Sequence, residues 1–250
     1  MQQTDFTILA NEKIARDVYR LLLTPTSYPL PPIPGQFVNI RLDGFYLRRP
    51  ISVCDWDGER LTLIYKAVGE GTKALAQYAA GERLDLLLWL GNGYTVTPAR
   101  RPVLVGGGIG VPPLFYLAKE LAKAGQKPLA VLGFNCAEDV FYQGEFEELC
   151  ETIITTVDGS MGTRGFVTHA LANLRYDAKS IYDALYACGP EPMLQAVYGQ
   201  AKDVPAQFSF ERRMGCGFGA CMACSCKTLA GYKRICVDGP ILAKEEILWN

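Results

Sequence analysis

Four cysteines occur within eleven consecutive positions near the C-terminal end of the chain, in CGFGACMACSC, and a fifth follows ten residues later. Cys216, Cys221 and Cys224 have the spacing C-x4-C-x2-C. Plant-type [2Fe-2S] clusters show this spacing, because one tight loop supplies three thiolates and a distant cysteine supplies the fourth. The pattern therefore predicts an iron-sulfur cluster in this stretch.

The glycines among these cysteines support the same interpretation. Gly215, Gly217 and Gly219 permit backbone turns that side chains would obstruct, and they let peptide N–H groups approach negatively charged sulfurs. The alternative is a structural zinc site, which usually shows two C-x2-C pairs and does not need so much glycine. A zinc site would make the chain an interaction module without redox activity.

Two cysteines could supply the fourth ligand. Cys226 is two residues beyond Cys224, and side chains at such positions can share one side of an extended segment. Cys236 lies farther along, in RICVDGP. The spacing leaves both possibilities open. The single histidine, His169, is distant in a helical segment and is expected to be a surface or packing residue.

Two segments in the first hundred residues could hold phosphates. LRRPISV places Arg49 and Ser52 three positions apart, so that a guanidinium could hold a pyrophosphate while a hydroxyl faces a ring edge. In YKAVGEGTKAL, Gly69, Gly71 and Thr72 precede a helix whose N-terminus could receive a phosphate. Alone, Arg49 could equally pair with a surface carboxylate. Together, the two segments indicate a dinucleotide such as a flavin cofactor.

VLVGGGIGVPPL has the form of a strand, a glycine turn and a helix start, where parallel sheets bind nucleotides. Gly107, Gly108 and Gly110 are the candidate binding residues. Val111 stands where the last glycine of G-x-G-x-x-G would be, so the stretch is not the generic Rossmann fingerprint.

Three more candidate residues lie at or just after the ends of later strands in the predicted parallel sheet. Glu138 and Asp139 would repel a 2′-phosphate, which favours NAD over NADP, although they could also be an ordinary helix start. Cys188 ends the strand in YACGPEPML. Its small polarizable side chain could lie near a reacting ring and take part in catalysis, or it could be a buried structural cysteine.

Hydrophobic periodicity divides the chain into three modules, a mixture of α+β and α/β architecture. Short strands separated by turns, with one helical segment in GTKALAQYAA, predict an antiparallel β-barrel over 1–98. Strands alternating with helices predict a parallel-sheet domain over 99–205. Residues 206–250 hold the cysteines and have little periodicity, so we expect the cluster to replace an apolar core in a small C-terminal domain.

Composition limits the classes of partner. The 250 residues carry a formal net charge of −1 with no clustered basic run, which argues against nucleic acid or an anionic membrane. Charges interrupt the N-terminal segment where a signal peptide would be apolar, and LDLLLWLG is too short to span a bilayer. We therefore expect a cytoplasmic protein, in which an odd total of nine cysteines is poorly explained by disulfides and metal binding better explains the clustered ones.

In order and combination, these segments resemble the electron-transfer subunit of type B (NAD-dependent) dihydroorotate dehydrogenase, within the ferredoxin reductase superfamily. The resemblance covers essentially the whole chain. The segments that carry it are RRPISV, VGEGTKAL, LGNGY, VGGGIGVPPL, DGSMGTRGFVTHAL, ACGPEPML and RMGCGFGACMACSCKT with YKRICVDGP.

The resemblance implies site residues of two kinds. The residues implied to bind FAD are Arg49, Pro50, Ile51, Ser52, Ile64, Tyr65, Lys66, Gly71 and Thr72. The implied cluster ligands are Cys216, Cys221, Cys224 and Cys236, which places Cys226 outside the set. Many members of the superfamily have an aromatic residue at the position of Ile51 to stack on the flavin, whereas the dihydroorotate branch is similar to this chain in being aliphatic.

The implied function is electron transfer in pyrimidine biosynthesis. Electrons from an FMN-containing dihydroorotate dehydrogenase catalytic subunit would reach NAD+ through the cluster and FAD, with Ser52 near flavin N5. A heterotetramer with two copies of each chain is expected. The three modules leave no room for an FMN barrel, which typically takes about 250 residues. Phe218 and Met222 in the cluster loop are a candidate docking surface.

The nearest alternative is the same electron-transfer arrangement serving another partner. An NAD(P)H-linked iron-sulfur flavoprotein subunit of a hydrogenase, or of a sulfur- or ferredoxin-linked oxidoreductase, would show the same motifs. The sequence separates these possibilities poorly.

Overall fold

The computed structural model describes residues 2–27, 29–176, 182–201 and 203–249. Its N-terminal part is a closed six-stranded antiparallel barrel with the strand order β1-β2-β5-β4-β3-β6. The strands are β1 (Gln2–Ala15), β2 (Val18–Pro25), β3 (Phe37–Ile40), β4 (Arg49–Trp56), β5 (Leu61–Lys66) and β6 (Arg83–Leu90). Alternate apolar side chains of these strands fill the barrel, so the period-two pattern of the sequence predicts this element correctly.

One helix of the barrel is shorter than its sequence predicts. Helix α1 (Glu70–Leu75) ends before the segment AQYAA, which the hydrophobic pattern includes in the helix. Asn11 of β1 donates its side-chain amide to the carbonyl oxygens of Leu75 and Tyr78, at 2.8 and 3.0 Å. Because these carbonyls bond to Asn11, a contact distant in sequence helps to end the helix.

A seven-stranded sheet follows the barrel, in the order β10-β9-β8-β7-β11-β12-β15. The strands are β7 (Pro102–Gly107), β8 (Leu129–Phe134), β9 (Glu151–Thr156), β10 (Thr163–Arg164), β11 (Ala184–Cys188), β12 (Ala206–Ser209) and the antiparallel edge strand β15 (Ile241–Ala243). The helices are α2 (Pro112–Lys123), α3 (Gln143–Glu147), α4 (Val167–Tyr176) and α5 (Glu191–Gln200). The chain leaves central β7 for β8 on one side and later returns to β11 on the other, which creates a ligand-binding switch point at the carboxyl end of β7.

The C-terminal segment differs from the expectation that the cluster replaces a core. Two short strands, β13 (Ser225–Thr228) and β14 (Gly231–Arg234), form a hairpin before helix α6 (Ile235–Asp238). However, β12 and β15 belong to the large sheet, and Phe208, Ile235 and Leu242 lie in its apolar core. That expectation was wrong because the segment buries its few apolar side chains against a neighbouring sheet, which local periodicity cannot reveal.

The sheet therefore crosses residue 205, where the sequence places a domain boundary. The boundaries at 98 and 205 remain predictions about units that could fold separately. No helix in the described part of the chain is long and apolar enough to cross a lipid bilayer.

Candidate functional site

The structure brings the four predicted cluster ligands together as two pairs. The N–H of Cys216 donates to Cys221 Sγ at 3.3 Å, and the N–H of Cys221 donates to Cys216 Sγ at 3.4 Å. In the second pair, the N–H of Cys236 donates to Cys224 Sγ at 3.4 Å. A [2Fe-2S] cluster takes two protein ligands on each iron, so two pairs of sulfurs fit this group.

The backbone of the loop favours a thiolate at Cys216. Burial opposes ionisation, but the N–H groups of Phe218 and Cys221 donate to its sulfur at 3.5 and 3.4 Å and lower its pKa to about 6. In the second pair, burial and the neighbouring Cys224 thiol raise the pKa of Cys236 to about 12. Iron binding at Cys236 must therefore displace a proton.

The loop reaches this conformation through unusual backbone angles. Gly217 and Gly219 have φ of +81° and +89°, which glycine adopts without strain. Met222 has φ of +60°, a conformation that side chains disfavour and that is typical of functional loops. Phe218 and Met222 are 46% and 55% exposed, so the predicted docking residues lie at the surface.

The two candidates for the fourth ligand occupy different places. Cys236 lies in α6 beside Cys224. Cys226 lies in β13 opposite Lys233 and lines a groove with Phe210 and Arg212. This placement favours Cys236.

The predicted phosphate-binding residues also come together. Arg49, at the start of β4, lies over the Phe45 ring with its guanidinium carbon 4.7 Å from the ring centre. A Cβ atom at Gly71 would overlap the Arg49 guanidinium, so glycine is needed for this approach. Thr72 has its hydroxyl engaged in the first turn of α1, accepting the N–H groups of residues 68 and 69 at 3.1 and 3.2 Å.

Strand pairing gives the other flavin candidates different orientations. Ser52 pairs with Phe37 and faces out of the barrel, because Phe37 packs in the core of the adjacent sheet. Ile51 pairs with Val38 and packs against the barrel core, and Pro50 is exposed. Ile64 is buried in β5 and packs against the sheet.

Tyr65 is committed to packing rather than exposed to a ligand. Its ring is 1% exposed and stacks on Tyr19 at a centroid distance of 5.6 Å. The phenol donates to Asn11 Oδ1 at 2.9 Å, while burial raises the Tyr65 pKa. Any contact between Tyr65 and a flavin must therefore involve its main chain.

A cavity of about 450 Å³ lies at the carboxyl ends of β7, β8 and β9. The glycine turn contributes Gly107 and Gly108, while Lys66 comes from the end of barrel strand β5. Gly110 packs so closely against the Cys188 carbonyl that a Cβ would overlap it. The size suits part of a dinucleotide, and the location is the switch point of the sheet.

Thr155, in β9, is a cavity residue that the sequence did not single out. It is fully buried, and its hydroxyl has no hydrogen-bond partner among the described residues. A bound ligand or an ordered water in the cavity could supply the missing partner of this buried hydroxyl. Only its place at a strand end, in TIITTV, could have signalled this residue.

The acidic residues after β8 are paired with a cation from the barrel. Asp139 lines the cavity and is 8% exposed. Arg16 donates Nε and Nη2 to its two carboxylate oxygens, at 3.0 and 2.9 Å. Arg16 also lies 3.5 Å from Glu138, which is 77% exposed. The carboxylate near the cavity is thus partly neutralised.

Cys188 lies at the carboxyl end of β11, beside the glycine turn. Burial of its thiol raises the pKa to about 12, so the group is a neutral thiol at physiological pH. This environment suits a small side chain that shapes a binding site and does not suit a thiolate nucleophile. The predicted surface residue His169 is exposed and accepts the N–H of Phe166 at 3.1 Å.

Comparisons with known proteins agree with this arrangement. A family model described as the iron-sulfur cluster binding domain of dihydroorotate dehydrogenase B matches residues 211–248. A second, described as the oxidoreductase NAD-binding domain, matches residues 104–198.

Solved structures share the fold. A chain from the structure of an NADH-dependent reduced ferredoxin-NADP oxidoreductase has a TM-score of 0.89 and 32% identity, covering 98% of this chain and 90% of that one. Phthalate dioxygenase reductase has a TM-score of 0.68 at 18% identity, covering 90% and 86%, which shows similarity of fold alone.

Curated relatives match over nearly the full length. Proteins from Fusobacterium nucleatum and a Geobacillus strain, each named dihydroorotate dehydrogenase B (NAD(+)), electron transfer subunit, are both 44% identical, covering 99% of each chain. A Bacillus cereus protein of the same name is 42% identical over 99% of each chain. The chain therefore belongs to the family of dihydroorotate dehydrogenase B (NAD(+)) electron transfer subunits.

Proposed function

We propose that this chain is the electron-transfer component of an NAD-dependent dihydroorotate dehydrogenase, an oxidoreductase of pyrimidine biosynthesis. The position of the barrel carries the proposal. Lys66 of β5 lines the cavity that also contains the glycine turn. On another strand, Asn39 of β3 contacts the cluster loop at Cys216. A flavin held on the barrel would therefore have the nucleotide cavity and the cysteine loop on neighbouring elements.

Each group has candidate residues. Arg49 and Gly71 form a cradle for the FAD pyrophosphate, and Gly107, Gly108 and Gly110 form the NAD turn. The cluster ligands are Cys216, Cys221, Cys224 and Cys236. When bound, FAD supplies a two-electron store that can exchange hydride with NAD and single electrons with the cluster.

The protein side chains orient these groups rather than react with them. Hydride transfer needs no side-chain acid or base, so Ser52 and Cys188 are expected to position the two rings. Ser52 faces outward beside Phe37, where its hydroxyl could contact the flavin edge near N5. Cys188 remains protonated, and its carbonyl packs against Gly110, which would position the glycine turn for the nicotinamide.

We further propose that the partner is an FMN-containing catalytic subunit that oxidises dihydroorotate, in a heterotetramer with two copies of each chain. The relatives are named as subunits of dihydroorotate dehydrogenase B, which supports a catalytic partner. The exposed Phe218 and Met222 are suited to docking because they lie in the loop that bears three cluster ligands.

Anaerobic purification followed by optical titration tests the proposal. The protein should show flavin bands with an iron-sulfur shoulder that bleach with NADH. Dihydroorotate should bleach them only when a dihydroorotate-oxidising subunit is co-expressed. A colourless protein that retains zinc would refute the cofactor assignment. Mass measurement of the complex tests the stoichiometry.

The 32% identity to a chain of an NADH-dependent reduced ferredoxin-NADP oxidoreductase supports a second candidate partner. In that case NADH would still bleach the protein, but the reconstituted dihydroorotate subunit would have no effect. Reduced ferredoxin would then replace dihydroorotate as electron donor. The titration thus separates the two partners while testing the same cofactors.

A further inference from the structure

Asn39 is a buried polar residue between the barrel and the cluster loop. It lies in β3, where Val38 and Ile40 point into the barrel core and Phe37 packs outside it. Side chains alternate along a strand, so Asn39 faces outward with Phe37. Asn39 is nevertheless only 1% exposed, because the C-terminal segment covers it.

The contact between Asn39 and the loop involves a cluster ligand directly. Asn39 Nδ2 donates to the carbonyl oxygen of Cys216 at 3.2 Å. The next residue, Gly217, approaches so closely that a Cβ atom would overlap Asn39 Nδ2. Gly217 also has φ of +81°. Both the glycine and the asparagine thus fit the close approach of the loop to β3.

The other end of the amide has no partner. Asn39 Oδ1 is buried and accepts no hydrogen bond from the described residues. An unpaired buried acceptor opposes stability, so the fold alone does not explain an asparagine at this position. Its donor to Cys216, together with an acceptor available to a bound group or water, provides a functional explanation.

The same face of the barrel holds a predicted flavin residue. Asn39 pairs with Pro50 and Phe37 pairs with Ser52 across β3 and β4. Directly paired residues share a face, and diagonal neighbours lie about 7–8 Å apart. Asn39 is therefore diagonal to Ser52 on the outer face while bonding to the backbone of Cys216.

We infer that Asn39 is a positioning residue for electron transfer between the cluster and FAD. It holds the Cys216 side of the cluster loop against β3, the strand that pairs with the strand carrying Ser52. The inference rests on the proposed function and deepens it by naming the link between the two sites. Each step transfers one electron between the cluster and FAD, and Asn39 is neither oxidised nor reduced.

The test uses the complete cofactor-loaded chain with Asn39→Asp and Asn39→Leu. Asp keeps the shape but loses the donor and adds charge, whereas Leu removes both polar atoms. Rapid anaerobic mixing with NADH measures flavin bleaching, and freeze-quenched paramagnetic resonance measures cluster reduction. A reductive titration gives the cluster midpoint potential, and iron content and the unfolding midpoint are measured separately.

We expect flavin bleaching at the wild-type rate in both variants, because Asn39 does not line the cavity proposed for the nucleotide. Cluster reduction should slow at least several-fold, since the rate of electron transfer falls steeply as the distance between the two redox groups increases. Asn39→Asp should also lower the cluster midpoint potential, because its carboxylate disfavours an added electron. A purely structural role would not separate the two rates.

Gln207→Leu is the matched control. Gln207 is another amide side chain that joins two segments, with Nε2 2.7 Å from the Thr95 carbonyl, but it lies in β12 away from the cysteine loop. The Gln207→Leu substitution should leave the rates of flavin bleaching and of cluster reduction unchanged. Wild-type cluster reduction in both Asn39 variants would overturn the inference, as would loss of iron from both. If the wild-type protein shows no NADH-driven cluster reduction, the proposed function itself fails.

Discussion

Single glycines determine how closely the candidate binding segments approach their neighbours. Gly71 allows contact with Arg49, Gly110 with the Cys188 carbonyl, and Gly217 with Asn39. In each case a Cβ atom would overlap the partner, so the role of the glycine is local and can be tested by one methyl group.

Gly71→Ala should weaken FAD binding by about tenfold to a hundredfold. The added methyl displaces the Arg49 guanidinium, and hydrogen bonds to charged groups contribute about 1.5–3 kcal/mol. Flavin release on dilution or gel filtration measures the loss. Gly69→Ala is the control, because a Cβ there meets nothing within 4 Å. Equal flavin retention in both variants would contradict the role of Arg49.

The fourth cluster ligand can be decided by two serine substitutions. Cys236→Ser should lose the cluster, since the Cys236 N–H and sulfur lie with Cys224 in the second pair. Cys226→Ser should keep it, because Cys226 lies in β13 beside Arg212. Iron and sulfide content, with the visible spectrum, provide the measurement. The reverse result would assign the ligand to Cys226.

The sequence predicts these residues to different extents. Cysteine spacing and glycine turns are local patterns, so the candidate cluster ligands and the candidate NAD-binding turn can be proposed from the sequence alone. The roles of Asn39 and Thr155 cannot be predicted from the sequence, because each depends on a partner or a cavity created by segments distant in sequence. Their residue types alone are ordinary in strands and carry no signal.

At the scale of elements, the carboxyl ends of the parallel strands form the cavity proposed to bind the nucleotide. Two adjacent threonines at the end of β9 differ in the hydrogen bonding of their hydroxyl groups. Thr155 has an unpaired hydroxyl in the cavity, whereas the Thr156 hydroxyl donates to the Met161 carbonyl at 2.7 Å and accepts its N–H at 3.0 Å. The first is available to a ligand and the second stabilises the following turn.

Thr155→Val should therefore weaken NADH binding about two- to tenfold, corresponding to a net hydrogen bond of about 0.5–1.5 kcal/mol. The unfolding midpoint should stay the same or rise, because an unpaired buried hydroxyl is removed. Thr156→Val should lower the midpoint, since it leaves the Met161 groups without their partner. NADH titration and thermal unfolding measure both effects. Unchanged affinity in Thr155→Val would remove Thr155 from the site.

Strand and helix patterns predict the barrel and the central parallel sheet, because both repeat a local hydrophobic period. They miss the contribution of the C-terminal segment to that sheet. Strands β12 and β15 have four and three residues, too few to show a period, and pair across the cysteine loop. Their position follows from tertiary burial of Phe208 and Leu242.

At the scale of the whole molecule, an ion pair joins the barrel to the sheet at the cavity edge. Arg16 follows β1, while Asp139 follows β8, and the two side chains form a bidentate pair. The sequence predicts that the acidic residues disfavour a 2′-phosphate, but it does not reveal the arginine beside them. The balance between these charges is therefore expected to affect the choice between NAD and NADP.

Asp139→Asn should shift the preference toward NADPH by about fivefold, the upper end of the range for ion pairs at a protein surface, because the half-exposed Arg16 is freed for a 2′-phosphate. The shift should shrink as salt screens the charges. Anaerobic flavin reduction by NADH and NADPH at several salt concentrations measures the ratio. The control is Glu12→Gln, which breaks the exposed ion pair with Arg20 within the barrel and should leave the ratio of NADH to NADPH activity unchanged. An additional Arg16→Ala should cancel the gain, and a gain that persists without Arg16 would show that the arginine does not bind the phosphate.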